Sequence, residues 1–177
     1  MPEQRPRVIL AFDFGSKRHG VALGNELTAT ANPLDVIPAR DGIPAWQLLD
    51  DLVANWQPDV FLVGLPLDED GGATPLSQRA TKFARRLFGR YGKSCYGMDE
   101  RGTTKAAKRL VKKAGHKGNY REDPVDSLAA AFILQAWLDL AEAGSEDAAS
   151  ARFLQPLAGP QVAGRSQTAT AVESKKT

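Results

Sequence analysis

The chain has 177 residues, 42% of them hydrophobic, and a formal net charge of +2. That length suffices for one domain with a full core, the longest apolar run falls far short of a membrane span, and the opening Met1-Pro2-Glu3-Gln4-Arg5 lacks the layout of a signal peptide. A single cysteine, Cys95, leaves no internal disulfide and fits a reducing, cytoplasmic setting, and the isolated His19 and His116 offer no structural zinc spacing.

In chain order, Arg7 to Phe14 predicts a strand apolar on both faces and hence central in its sheet. Gly15 to Arg18 is a turn. His19 to Gly24 is a second strand, and Leu27 to Ile37 holds a third, interrupted at Asn32-Pro33. Loops this short make the three strands antiparallel neighbours. Pro44 opens a helix that Pro58 terminates, with Trp46, Leu48, Leu49, Leu52, Val53 and Trp56 along it, the two tryptophans at core spacing. Val60 to Leu65 is a buried strand parallel to the first.

Leu67 to Gly72 predicts a solvated acidic loop. Thr74 caps the next helix, which buries Leu76, Ala80, Phe83, Ala84 and Leu87 and turns Arg79, Lys82, Arg85, Arg86 and Arg90 outward. Lys93 to Met98 is a fifth strand. A helix capped at Thr103 or Thr104 carries Lys105, Lys108, Arg109, Lys112 and Lys113, and Gly115 to Asn119 is a loop. Pro124 starts a last, apolar helix reaching Leu140. Residues 1–143 therefore read as one domain and 144–177 as a disordered tail, in which Phe153-Leu154 is the clearest apolar pair. The fold class is α/β: a mixed five-stranded sheet, three antiparallel strands then two parallel, flanked by helices.

Charge is unevenly spread. From Arg79 to Arg121 there are fourteen Lys or Arg and two acids, Asp99 and Glu100. A solvated helical face is the plain explanation of a short basic run, but an excess of this size is the footprint of a polyanion such as nucleic acid. Three acids sit at the ends of buried elements: Asp13 closes the first strand, Glu100 follows the fifth, and Asp126 opens the last helix. An unpaired carboxylate there is costly, and three from separate elements can share a hard divalent cation. Each has a competitor. Asp13 is also a turn former, Glu100 a partner for Arg101, and Asp126 a complement to the helix dipole. Asp99 and Glu100 point to opposite sides if the strand continues, so one of them reaches the centre. Asp123 is the cap or supporting group beside Asp126. Nothing marks a partner that would make His19 or His116 a general base.

Ala11-Phe12-Asp13-Phe14-Gly15-Ser16-Lys17, Gly20-Val21-Ala22, Val63-Gly64-Leu65-Pro66-Leu67, Asp99-Glu100-Arg101 and Val125-Asp126-Ser127-Leu128-Ala129-Ala130 occur in order and at sensible spacing. Together they resemble the YqgF/RuvX family, bacterial RNase H-like nucleases described as Holliday junction resolvases and as pre-16S ribosomal RNA nucleases. The resemblance spans about Val8 to Leu140. It implies an RNase H-like fold and a metal-dependent nuclease. Asp13, Glu100 and Asp126 would be the catalytic and metal-binding acids. Mg²⁺ would be the ion, with Mn²⁺ the alternative. Lys17 matches a basic position of the opening motif, and Gly102 departs from an apolar one. Lys17, Arg18, Arg79, Lys82, Arg101 and Lys105 would hold the phosphate backbone of a ribosomal RNA precursor or of branched DNA, in a monomer or homodimer. Three competing readings stay open: a junction resolvase, a nucleotide-binding protein of the actin and sugar-kinase type, and a nucleic-acid-binding module without catalysis.

Overall fold

The computed structural model describes residues 5–100, 124–142 and 154–159. β1 (Val8–Asp13), β2 (Arg18–Asn25) and β3 (Thr30–Arg40) form an antiparallel meander. β5 (Val60–Leu65) lies parallel to β1 on its other side, and β6 (Cys95–Asp99) lies parallel to β5. The mixed sheet with flanking helices is the RNase H-like class expected.

The strand count is corrected from five to seven. The added strands are β4 (Ile43–Pro44), which pairs with Ala39 and Arg40, and β7 (Leu154–Ala158), which pairs antiparallel with β6. The full order is β4-β3-β2-β1-β5-β6-β7. Pro44 thus ends a hairpin instead of opening a helix. α1 (Trp46–Trp56) starts two residues later, after the Ala45 N–H has bonded to the Pro38 carbonyl at 2.8 Å. β7 arises inside the stretch expected to be a tail, because Leu157 and Ala158 bury against an edge of β6 that would otherwise stay open. β3 also runs unbroken through Pro33. Among the described residues it pairs, beyond β2, only with the short β4, so most of its outer side makes no described ladder bond.

Two apolar layers cover the sheet. On one face, α1 and α2 (Pro75–Tyr91) enclose Leu10, Phe12, Phe61, Val63, Phe83 and Leu87. Phe12 meets Phe83 edge-on at 5.3 Å, and burying each such ring contributes about 1.5–3 kcal/mol. On the other face, α3 (Pro124–Glu142) packs Ala130, Ile133, Leu134, Trp137 and Leu138 against Ile9, Ala11, Ala22, Leu62 and Met98. α2 has the expected cap: Thr74 Oγ1 accepts from the Ser77 N–H at 3.0 Å, and Ser77 Oγ accepts from the Thr74 N–H at 2.8 Å. Trp56 and Leu76, expected in the core, are exposed, as is Leu48. The lysine-rich helix from Lys105 to Lys113, the loop 115–119 and most of 144–177 lie outside the described residues. No described helix is long and apolar enough to cross a membrane.

Candidate active site

β1, β5 and β6 run parallel, so their carboxyl ends share one edge of the sheet, the place where open α/β sheets bind ligands. Side chains alternate along each strand. Ile9 and Ala11 face α3, and Asp13 is next in that series. Val60 and Leu62 face α3, and Gly64 is next. Met98 faces α3, and Glu100 follows it two residues on. The first two expected acids therefore come to the same side of the sheet, separated by β5.

Gly64 is the gap that lets them approach. A Cβ there would lie 2.7 Å from Glu100 Oε1 and 2.5 Å from Ile133 Cδ1. Any larger residue would displace the carboxylate or α3. Burial, reinforced by the neighbouring carboxylates of Asp13 and Asp99, pushes the Glu100 carboxyl up from 4.5 to about 7. Asp99 itself is buried at the end of β6. Negative charge accumulates at this edge, and a hard cation among the oxygens would relieve it.

The backbone of α3 brings the third expected acid to the same end. Ser127 is buried, and its Oγ accepts from the Val21 N–H over 3.5 Å. Val21 pairs with Phe12, and its neighbour Gly20 pairs with Asp13. Asp126 thus stands in the first turn of α3, one residue from a contact beside Asp13; its side chain lies outside the described residues. Among the described side chains, no group of three His, Cys, Asp or Glu could hold a metal ion. Asp13 and Glu100 are hard oxygen donors and suit Mg²⁺ or Mn²⁺ as far as two carboxylates can.

Beside Asp13, a depression of about 200 Å³ is walled by Phe14, Gly15, Ser16, Lys17 and Arg18. Lys17 and Arg18 are exposed there. The loop is tied down through its backbone. The Gly42 N–H donates to the Ser16 carbonyl and the Ala39 N–H to the Lys17 carbonyl, both at 2.8 Å. His19, fully buried, completes the attachment: Nδ1 accepts from the Gly15 N–H at 3.2 Å and Nε2 donates to the Gly42 carbonyl at 3.1 Å. These partners assign the neutral tautomer with the proton on Nε2. Burial lowers the His19 pKa to about 4, against a smaller opposing effect of the Gly42 carbonyl. The ring stacks on Phe83 at 4.6 Å. His19 is structural, as its lack of a marked partner implied. Gly42 makes this turn at φ 79°, where a side chain would also meet the Phe14 ring.

Of the expected phosphate-binding residues, Arg79 is tied to Asp41, with Nη2 2.9 Å from Oδ1 and 3.0 Å from the Asp41 carbonyl. Lys82 is exposed, but on α2, across the sheet from Asp13. Arg101 and Lys105 lie outside the described residues. The acidic residues 68–70 after β5 are exposed, and Asp68 Oδ1 accepts from the N–H groups of Asp70 and Gly72 at 3.0 and 2.7 Å. Gly64, His19 and Ser127 were not anticipated as parts of the site. The only signal was a glycine within an otherwise apolar strand, which marks a close approach.

The chain matches the family described as RuvX, Holliday junction resolvase, over residues 7–140. It is 53% identical over 137 residues to a Chromohalobacter salexigens protein named "Putative pre-16S rRNA nuclease", covering 77% of this chain and 93% of the relative. A Saccharophagus degradans protein of the same name is 51% identical over 131 residues, covering 74% and 92%. Among solved structures, T. thermophilus RuvC in complex with a Holliday junction substrate aligns with a TM-score of 0.53 at 16% identity, covering 85% of this chain and 99% of that one. That likeness is one of fold.

Proposed function

The chain belongs to the RuvX family, and from that membership we propose that it is a metal-dependent nuclease that hydrolyses phosphodiester bonds in the maturation of pre-16S ribosomal RNA. The observation that supports this reading is the close approach of Glu100 Oε1 to Gly64 at the carboxyl ends of parallel strands, with the Asp13 carboxylate near enough to raise the Glu100 pKa. Asp13, Glu100 and Asp126 are the ligand set, Mg²⁺ the ion and Mn²⁺ the alternative. When bound, such an ion supplies Lewis-acid charge beside the scissile phosphate.

The protein's own groups do the rest. Lys17 and Arg18 border the depression next to Asp13 and hold a phosphate of the bound strand by charge. Backbone bonds to Ala39 and Gly42, with His19, keep that loop in register with Asp13. Arg101 and Lys105, outside the described residues, are proposed as further phosphate contacts. Contacts of this type position the backbone without reading sequence, so selectivity comes from nucleic-acid shape. The single described cysteine is buried in β6 and its thiol is pushed up to about 12, which leaves it inert and suits a cytoplasmic enzyme.

The deciding experiment is Asp13→Asn assayed on a ribosomal RNA precursor with Mg²⁺. Cleavage falls by on the order of 10³-fold, several kcal/mol of transition-state stabilisation, while RNA binding persists. Undiminished cleavage would remove the reading. A second reading, resolution of four-way DNA junctions by a homodimer, is favoured by the family's description. It is separated by running the same assay on a junction while measuring oligomeric state.

A further inference from the structure

α2 carries a stripe of charge that the catalytic edge does not use. Its seventeen residues include no acid and five basic residues, Arg79, Lys82, Arg85, Arg86 and Arg90. The outer two are engaged by neighbouring elements. Arg79 pairs with Asp41, and Arg90 pairs with Asp50 at 2.7 Å while its guanidinium lies 4.7 Å from the Trp46 ring. The central three, Lys82, Arg85 and Arg86, are exposed and have no acid partner among the described residues.

Their position is the decisive point. α2 covers the Phe12–Phe61 face of the sheet, whereas Asp13 and Glu100 belong to the face under α3. α2 also leads away from the catalytic edge. It starts at Thr74, just after the loop that leaves β5, and returns to the start of β6. At the ordinary helical rise, Arg86 lies roughly 18 Å from that cap along the axis. A strand whose phosphate rests against Asp13 cannot also run along these three side chains without turning around the sheet.

We propose that the Lys82–Arg85–Arg86 face of α2 docks a duplex arm of the substrate, separate from the strand that is cut. This rests on the nuclease reading above and adds the architecture of its substrate: a folded or branched nucleic acid with a paired segment beside the cleaved one. Duplex fits the chemistry of the face. Single-strand platforms stack bases on exposed aromatic rings, and here Phe83 is buried, Phe88 half-buried, and the Tyr91 hydroxyl donates to Asp50 at 2.7 Å. What remains is a patch of charges, Arg85 and Arg86 each about one helical turn from Lys82, which grips phosphates without reading bases.

The test compares two probes with the full-length protein in the absence of divalent metal: a four-way DNA junction and an eight-nucleotide single strand. Arg85→Glu/Arg86→Glu lowers junction affinity tenfold or more and leaves the single strand within twofold. The neutral pair Arg85→Ala/Arg86→Ala moves the same way and reduces the salt slope of junction binding by about 1.8, the loss of two phosphate contacts. Both pairs are exposed helical substitutions, and circular dichroism verifies the fold. Unchanged junction affinity would overturn the proposal, and so would equal losses on both probes, which would make the stripe part of one continuous track. An inactive wild type sinks the nuclease reading instead; binding is measured without cleavage, so the two ideas fail separately.

Discussion

Two ionisable groups, one buried and one half-buried, lie within a few residues of the same sheet edge, and the protein treats them in opposite ways. His19 has a backbone partner for each ring nitrogen and aromatic rings against its face; burial lowers its pKa to about 4. Glu100 lies in a gap left by a glycine, with two other carboxylates close by, and is raised to about 7. Both shifts favour the neutral form, yet the surroundings differ: neutral groups face the histidine, and like charges lie near the glutamate. The histidine is a fastener. The glutamate is held where its own charge is unfavourable and where a cation would reverse that balance. That contrast separates a group that holds the loop together from one that the proposed reaction would use.

The sharpest way to break the contrast is to close the gap. Gly64→Val places atoms where Glu100 Oε1 and Ile133 Cδ1 now lie. Cleavage drops by on the order of 10²-fold through misplacement of the carboxylate, with about 1–3 kcal/mol of lost stability. Single-turnover assays and a denaturant titration measure the two. If the valine enzyme keeps full activity, the gap has no role.

The fastener is tested by His19→Phe, which retains the ring stacking but strands the Gly15 N–H and the Gly42 carbonyl. Stability falls by about 1–3 kcal/mol, and KM for nucleic acid rises as the Lys17 loop loosens, while kcat changes little. A collapse of kcat at unchanged KM would instead make His19 a participant in chemistry.

The smallest effect is in pH. A raised carboxyl binds its proton more tightly in the folded state, so in metal-free protein the Glu100 contribution is fully present below pH 4.5 and is lost as pH rises to about 7. Allowing for solvent screening, the fall is roughly 1–2 kcal/mol. The depressed histidine has the opposite sign: its contribution is present above pH 6.5 and is lost as pH falls to about 4. Chemical denaturation in chelator across this window should show the high-pH loss vanish in Glu100→Gln and on addition of Mg²⁺ to the wild type. A loss that survives both would assign it to another group.

Much of this was legible in the residues. Continuous apolar runs identified β1 and β5 as central and parallel, and Thr74 before a proline located the start of α2. The placement of Asp13 and Glu100 followed from motif order. Other features depend on contacts between distant segments. No local pattern tells that Gly64 makes room for a side chain thirty-six positions later, or that His19 binds a turn at Gly42. β7 was missed because Leu-Gln-Pro-Leu-Ala is unremarkable until the uncovered edge of β6 is beside it. The basic helix misled in another way: its charge was plain, but which face of the sheet would carry it was not.

The outermost described strands share one trait. Pro44 lies in β4 and Pro156 in β7, and neither residue has an N–H to offer a newcomer. Sideways growth of the sheet is therefore discouraged at both margins, which protects the molecule from stacking into fibrils. Two copies meeting edge to edge at these prolines would each forgo a ladder hydrogen bond, which favours helices or loops as the meeting surface.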